Sequence, residues 1–572
     1  MRPPIPACRT PMLLPTQDRS ARRLALSLLL AGPFLFGLWA VLLGQDGNWD
    51  LRNYHWYNAY AFLTGRWGMD VAPAQVASFY NPTLDLPFFM AAQVLPARVV
   101  EFLLGSIQGA NLVLLYGLAW TVQRSATPER RRALVALAVA VCGMVGGGQV
   151  GLLGTTFYDN VISLFVLGGI LVAIGGEGAA WSAPHGPAFR RAALAGLLVG
   201  SGVGLKQPTI VFAVGTCAAF LAAGGTPWRR LLLAFFFGVG VLAGMAIFSG
   251  HWMWFLWSHF QNPLFPYFNN VFHSPWGTPD PYRDDKFIPK GPVAAALFPF
   301  AWALDPKLVG EIIFRDYRVL AAYVALLLTG LMALVRWLRG QFAAEGPLVD
   351  TSGPARARRY LLLAGSLSYL VWLKLFAIYR YLIPLEMLAP VLVLAAVALW
   401  PAPARARGAV TAALLLLLTA TGQSGTWARV PWGDRPFSAK VSEVQAPVLP
   451  RPDHTVILMT GYAPTSFLIP GFPPQIPFLR LQSYFIHPDQ GDILLNRQMR
   501  QRIDQGIANG DDFYLLLAHW ETWTMDQILP RYGLKGAGEP CQPVTSTLDE
   551  PMMLCRIIPL QPAAGHDMNP VN

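Results

Sequence analysis

Long hydrophobic runs constrain this chain more than any other feature of its sequence. Segments that are long enough to cross a membrane, or nearly so, recur along most of the chain. They cover residues 24–44, 99–121, 133–149, 159–176, 191–205, 208–224, 231–250, 319–338, 360–378, 382–400 and 408–423. Because a span needs about 20 residues, the short runs need neighbouring residues to complete them. The pattern predicts an α-helical polytopic membrane protein with about eleven transmembrane helices.

Composition narrows the class of protein further. The 572 residues are 54% hydrophobic and only 13% charged, whereas soluble domains carry about 25% charged residues. The formal net charge is +11, but the basic residues lie in short clusters between apolar runs and form no basic face on a soluble segment. The composition therefore predicts a protein of the lipid bilayer and excludes nucleic acid as a partner.

Arginine clusters predict the orientation, because short cytoplasmic loops of membrane proteins are enriched in Lys and Arg. With a cytoplasmic N-terminus, the inner loops contain Arg124, Arg130 to Arg132, Arg190, Arg191, Arg229, Arg230, Arg336, Arg339, Arg356, Arg358, Arg359, Arg405 and Arg407. We therefore expect a bacterial inner-membrane protein with a cytoplasmic N-terminal arm, 1–23, and a transmembrane domain, 24–423. Loops 45–98 and 251–318 and the C-terminal segment 424–572 are then periplasmic.

The first predicted periplasmic loop begins with two carboxylates. Asp46 and Asp50 follow directly after the first apolar run, where a membrane segment ends and water begins. A carboxylate at this boundary is a candidate general base. Two structural alternatives stay open: the carboxylates cap a helix, and the aromatic residues that follow, among them Tyr54, form an ordinary interfacial belt.

The second long loop, 251–318, is dense in proline, asparagine and aromatic residues. Its prolines prevent a long regular helix, so we expect a structured cap over a cavity. A flexible connector is the alternative. The residues predicted to line the substrate cavity from both loops are Tyr54, His55, Tyr80, Asn81, His259 and Asn262.

The C-terminal segment, 424–572, alternates strand-like and helix-like runs, which predicts a small α/β domain. Strand-like runs occupy 456–459 and 513–518, and helix-like runs occupy 492–505 and 523–532. Cys541 and Cys555 lie in this segment, and export to the periplasm would permit a disulfide between them. The glycines of the segment do not form a nucleotide-binding pattern.

Four more ionisable residues stand at the ends of apolar runs: Asp159, Lys206, Lys374 and Arg380. Basic groups on the outer side oppose the orientation rule, and an anionic lipid head group supplies a reason for them, since Arg and Lys both bind phosphate. Alternatively, Asp159 is a helix-start residue favoured by the helix dipole, and Lys374 extends towards bulk lipid phosphates. A carboxylate that removes a proton, beside cations that hold a leaving phosphate, fits glycosyl transfer from a lipid phosphate.

On these motifs the sequence resembles the glycosyltransferase C superfamily, whose members use polyprenyl-phosphate sugars on the outer face of a membrane. The segment WDLRNYHWYNAYAFLTGR, at 49–66, is similar to the acidic first-loop motif of its mannosyltransferase-like branch. YNPTLDLPFF at 80–89, GLKQPT at 204–209 and YRYLIP at 379–384 are similar to later motifs. The resemblance covers residues 24–400.

The resemblance implies an inverting transferase that moves a sugar from a polyprenyl-phosphate donor to an envelope glycan, lipid or protein acceptor. It assigns the base to Asp50 rather than Asp46, and the second-loop acidic position to Asp159, which is a third catalytic candidate. It assigns donor phosphate binding to Lys206 and Arg380, and Lys374 is a further candidate for this role. No cofactor is certain, and a divalent cation stays open. The alternatives are a transporter or flippase of a lipid-linked glycan and a non-catalytic membrane scaffold.

Overall fold

The computed structural model describes residues 14–560 except 16, 124–125, 176–184, 223–224, 281, 283 and 340–351. Most of the predicted N-terminal arm, 1–23, and the predicted inner residue Arg124 lie outside the described residues. The described chain is mostly helical and has a sheet in its C-terminal region.

The α-helices in chain order are α1 Arg19–Leu43, α2 Trp56–Thr64, α3 Leu86–Val94, α4 Ala97–Gly109, α5 Asn111–Val122, α6 Glu129–Met144, α7 Gly147–Gly151, α8 Asp159–Ile174, α9 His185–Leu205, α10 Ile210–Ala219, α11 Pro227–Phe260, α12 Asn269–Phe272, α13 Pro292–Leu304, α14 Arg318–Leu338, α15 Gly353–Leu375, α16 Ile383–Val397, α17 Ala404–Thr421, α18 Leu494–Asn509 and α19 Trp523–Gln527. The strands are β1 Gln45–Asp46, β2 Arg429–Val430, β3 Val444–Gln445, β4 Thr455–Met459, β5 Phe478–Arg480, β6 Asp512–Leu517, β7 Leu534–Gly536, β8 Gln542–Ser546 and β9 Met552–Pro559.

Among the described residues, 7 helical stretches are long and apolar enough to cross a membrane. They are Arg19–Leu43, Ala97–Val122, Gly186–Leu205, Pro227–Phe260, Arg318–Leu338, Tyr379–Val397 and Ala404–Thr421. These helices support the predicted multi-pass helical class, whereas the count of eleven spans stays a prediction. The apolar runs at 159–176 and 208–224 contain shorter helices. α8 has 16 residues and ends before Gly175, and α10 has 10 residues and begins after a 3₁₀ turn that contains Pro208.

The predicted irregular loop 251–318 is more helical than its prolines indicated. Helix α11 continues to Phe260 before the first of these prolines, and α13 begins with Pro292 in its first turn. Proline is well tolerated there, since the first backbone N–H groups of a helix have no intrahelical acceptor. Between these helices, described regular structure is limited to the four-residue α12.

The chain divides into two compact units. The helical unit contains Met1–Gly44, Glu101–His251 and Asp284–Trp427. Its centre is α16, where every residue except Leu394 is buried. Because α16 is apolar on all sides apart from Glu386, it is surrounded by helices, namely α5, α6, α8, α14 and α15.

Glycines bring α9 and α11 close together within the helical unit. Gly196 and Gly200 stand four apart in α9, and Gly240 and Gly244 stand four apart in α11. A Cβ at any of these positions would overlap backbone atoms of the facing helix. This spacing of small residues allows helix backbones to pack closely in a membrane.

The sheet unit contains Gln45–Val100, Trp252–Arg283 and Ala428–Asn572. Its main sheet has the order β3-β8-β9-β6-β4-β5, and β7 pairs with β9. β4 pairs in parallel with β5 and β6, whereas β9 is antiparallel to β6. β4 is buried at every position, as its continuous apolar sequence requires when both faces of a sheet are covered.

The sheet unit is larger than the α/β domain predicted over 424–572. The predicted strands appear as β4 and β6 and the first predicted helix as α18. The second predicted helix, 523–532, forms only the short α19 and a 3₁₀ turn, Leu529–Tyr532. The first loop folds with these elements. Val71 pairs with Leu479 beside the sheet. Arg66 also binds the carbonyl of Ile476 at 2.6 Å. A disulfide joins Cys541 to Cys555 in the same unit.

Candidate functional site

Asp50 is the residue directly before a π-helix, Leu51–His55, that runs into α2. Its side chain is half-buried, and its Oδ2 accepts a hydrogen bond from the Tyr54 hydroxyl at 3.4 Å. Within the described residues the Asp50 carboxylate does not cap this helix. Asn48 takes that role, since its Oδ1 accepts from the Leu51 N–H at 2.8 Å. π-Helical turns are frequent at functional sites, and a partly exposed carboxylate is accessible to a substrate proton.

Asp46 has a different environment. It is 1% exposed, and its Oδ1 accepts from the backbone N–H of Asn48 at 3.1 Å and from its Nδ2 at 2.7 Å. The second oxygen accepts from the same amide at 2.8 Å. Such local hydrogen bonds hold a turn. Asp46 therefore stabilises a turn, and Asp50 is the more accessible of the two carboxylates.

Two predicted cavity residues gather around Tyr54. Its ring lies 4.0 Å from the ring of His55 and 5.3 Å from that of Tyr80. His55 Nδ1 lies 2.6 Å from Asp85 Oδ1, and both side chains are buried. A carboxylate at Nδ1 selects the orientation and tautomer of the imidazole. Sequence reasoning missed Asp85, although it stands inside the quoted segment YNPTLDLPFF.

Three other predicted cavity residues hold local structure. Asn81 accepts from the Thr83 N–H at 3.1 Å and so caps a short 3₁₀ turn. Asn262 is fully buried, and its Nδ2 donates to the carbonyl of Tyr267 at 2.9 Å. His259 is exposed in the last turn of α11, where its Nδ1 lies 2.9 Å from the Phe255 carbonyl. These contacts explain the three residues without a ligand.

A buried ion pair ties the first loop to the sheet. Arg66 Nε lies 2.7 Å from Asp70 Oδ2, and Tyr57 donates to the same oxygen at 2.8 Å. Asp70 Oδ1 accepts from the Phe478 N–H of β5 at 2.9 Å. Burial, together with the charge of Asp70, raises the pKa of Tyr57 well above its ordinary value. Tyr57 is therefore neutral, and its hydroxyl donates to the Asp70 carboxylate.

The helical unit gathers the other predicted site residues. Lys206 Nζ lies 2.7 Å from Asp159 Oδ1 and donates to the Phe157 carbonyl at 2.7 Å. Its Nζ also lies 5.5 Å from the ring centre of Tyr381. Arg380 lies over the ring of Phe157, 4.2 Å from its centre. Asp159, Lys206 and Tyr381 line one small cavity. Arg380 lies beside it, 5.8 Å from the ring centre of the same Tyr381.

Unusual backbone geometry holds this cation cluster, which we define as Asp159, Lys206 and Arg380. Tyr158, directly before Asp159, has a φ of 62°, and Ala377, three residues before Arg380, has a φ of 53°. Left-handed backbone costs free energy for residues other than glycine and occurs often at functional sites.

Lys374 is exposed in the last turn of α15. That position fits its alternative interpretation, extension towards lipid phosphates.

Sequence reasoning did not single out three buried charges of the helical unit. Glu386 of α16 accepts from the Gln149 N–H at 2.9 Å, and Asp316 accepts from the Gly147 N–H at 2.8 Å. Arg318 forms a fully buried ion pair with Asp316. These side chains satisfy backbone N–H groups of α7, as buried backbone groups require. Tertiary contacts bury these three residues. The sequence shows only that each charged residue stands near an apolar run, and it does not show their burial.

No group of three or more His, Cys, Asp or Glu side chains with metal-binding geometry occurs among the described residues. The need for a divalent cation therefore stays an open prediction. A scan against protein-family models found no match for the chain, and searches of curated proteins and of solved structures found none either.

Proposed function

We propose that this protein is an inverting membrane glycosyltransferase that moves a sugar from a polyprenyl-phosphate donor to an envelope glycan, lipid or protein acceptor. The proposal includes about eleven spans in a bacterial inner membrane and a periplasmic active site. The observation that carries it is the cation cluster, because Lys and Arg beside aromatic rings suit a lipid phosphate.

In the proposed reaction, Asp50 removes the proton of the acceptor hydroxyl, and the resulting oxygen attacks the anomeric carbon. The bond from that carbon to the phosphate oxygen breaks with inversion, and polyprenyl phosphate leaves. Lys206 and Arg380 would stabilise the negative charge on the leaving phosphate. Asp159 would position Lys206 through their ion pair. Half-burial and access at Asp50 support this choice of base over the fully buried Asp46.

The test is transfer by the purified full-length protein with a synthetic polyprenyl-phosphate sugar and an envelope extract as acceptor source. Release of polyprenyl phosphate and labelling of the acceptor are both measured. We expect Asp50→Asn to lower the rate about 10²–10⁴-fold, because an amide has the same shape and accepts no proton. Asp46→Asn should cost less activity and lower the melting temperature instead.

Asp504→Asn is the matched control, since Asp504 is an exposed carboxylate on α18. Its rate should equal that of the parental protein. Full activity of Asp50→Asn with a dead Asp46→Asn or Asp159→Asn would mean that the base is misassigned. Activity in all three variants would refute the carboxylate mechanism.

A further inference from the structure

The parallel part of the sheet has one switch point, at β4, where the connections to the neighbouring strands run to opposite sides. β4 lies between β5 and β6, so the chain leaves β4 towards one side for β5 and later returns to the other side for β6. In open α/β sheets, ligands bind outside the carboxyl ends of the strands at such a switch point. Here this edge contains Gly461 after β4 and Glu521 after β6.

Buried polar side chains hold the loop after β4 in one conformation. Glu521 Oε1 accepts from the N–H groups of Tyr462 at 2.5 Å and Ala463 at 3.0 Å. Gln482 Oε1 accepts from the Gly461 N–H at 2.9 Å. Arg480 is fully buried and donates to the Gly461 carbonyl at 3.2 Å. Gly461 has a φ of 86° and lies directly against the Glu521 carboxylate, so a larger residue does not fit.

Tyr462 of this loop lies beside two aromatic rings from other segments, Tyr484 after β5 and the half-buried Trp523 of α19. The ring of Tyr462 lies 4.3 Å from that of Tyr484 and 6.3 Å from that of Trp523. Tyr484 is 65% exposed and Tyr462 is 37% exposed. We call these three residues the aromatic edge. Exposed rings that are fixed in place lose little conformational entropy on binding a ligand.

Two buried polar atoms at the same edge lack hydrogen-bond partners among the described residues: Glu521 Oε2 and Gln482 Nε2. Both side chains are almost completely buried, at 2% and 1% exposed. Buried polar groups in native proteins are normally satisfied by protein, water or ligand. An acceptor and a donor therefore remain on the two side chains that hold the backbone of Gly461 and Tyr462.

We propose that the aromatic edge is a binding site for the pyranose rings of a neutral glycan. The C–H face of a pyranose packs on aromatic rings, while its hydroxyl groups match a carboxylate and an amide. The Glu521 carboxylate disfavours an anionic ligand, and the donors of Arg480 are already bound to Pro73, Gly461 and Thr465. We assign this site to the glycan acceptor of the transferase, and this assignment rests on the proposed function. Binding of the glycan itself does not depend on that function.

The test measures binding of neutral hexopyranose trisaccharides, namely maltotriose, cellotriose and α-linked mannotriose, to the full-length protein in nanodiscs without donor. Saturation-transfer NMR detects contact, and calorimetry gives the affinity. We expect at least one trisaccharide to bind, and Tyr484→Ala or Tyr462→Ala to weaken it about tenfold or more. Phe437→Ala is the matched control, because Phe437 is 62% exposed in the same unit and is not part of the aromatic edge.

Glu521→Gln is a second test, because glutamine keeps the shape of the side chain. The amide oxygen can still accept the two loop N–H groups, whereas the second atom becomes a donor, so affinity should fall while the melting temperature changes little. Binding of none of the three sugars, equal binding by the tyrosine variants, or preference for an aromatic peptide would overturn the proposal. Trisaccharide binding without transfer would refute only the proposed function, and transfer without trisaccharide binding would refute only this site.

Discussion

At the scale of single residues, neighbouring contacts decide what an ionisable group can do. Asp46 and Asp50 are only four positions apart, yet one is enclosed by the amides of Asn48 and the other is half-buried beside Tyr54. Asp159 illustrates the same point. Predicted as a candidate acid or base, it forms an ion pair with Lys206, which favours a positioning role.

The first prediction concerns Lys206. Lys206→Gln should weaken binding of polyprenyl phosphate about tenfold or more, because hydrogen bonds to charged groups contribute about 1.5–3 kcal/mol. Asp159→Asn should weaken it less, and the double variant should show coupling, since the two groups are in contact. Equilibrium binding of the sugar-free lipid phosphate to purified protein measures all three.

Lys374→Gln is the matched control for this measurement. Lys374 is exposed at the end of α15, so removal of its charge should change the affinity little. Equal losses for Lys206→Gln and Lys374→Gln would show a general effect of charge near the membrane rather than a phosphate site at the cation cluster.

At the scale of elements, helix packing depends on where glycine stands. Gly238 and Gly240 are two positions apart in α11, but they face different surroundings. A Cβ at Gly240 would overlap the Ala193 carbonyl of α9, whereas a Cβ at Gly238 would meet no described atom within 4 Å. The spacing of small residues is visible in the sequence, whereas the helix that they face is not.

The second prediction compares these two glycines. Gly240→Ala should destabilise the protein by about 1–3 kcal/mol, as overpacking of a close contact typically does. Gly238→Ala should leave stability unchanged or raise it slightly, since alanine favours helix over glycine by about 1 kcal/mol. Thermal unfolding in detergent compares the two. Equal melting temperatures would contradict the close packing of α9 on α11.

At the scale of the whole molecule, each compact unit is assembled from distant pieces of chain. The sheet unit unites Gln45–Val100, Trp252–Arg283 and Ala428–Asn572. The loops predicted to share one side of the membrane with the C-terminal segment thus contribute to the same unit. The prediction of the membrane orientation rests on the arginine clusters alone, so it needs a direct test.

The third prediction concerns that orientation. Reporter fusions after residue 127, 227 or 350 should score cytoplasmic, and fusions after residue 280 or 430 should score periplasmic, because the arginine clusters occupy alternate loops. Paired alkaline phosphatase and fluorescent-protein reporters at each position provide the control for expression. A periplasmic score at 350 would contradict the shared outer side of the long loops.

The sequence alone determined the features that depend on local pattern. Hydrophobic runs predicted helices because a backbone in lipid must satisfy its own hydrogen bonds, and short continuous apolar runs predicted β4 and β6. Positions of candidate residues such as Asp50 and Lys206 were also visible, since charge beside an apolar run is unusual.

Only the tertiary structure decided which residues meet. Asp159 and Lys206 are separated by 47 residues, and Gly461 and Glu521 lie after different strands. Local sequence patterns report the chemistry of each position but not its partner, because side-chain pairing over such distances depends on how helices and strands pack. For the same reason, burial separated Asp46 from Asp50, and hydrogen bonds tied Asn81 and Asn262 to local turns. Their sequence contexts had placed all four residues in one site.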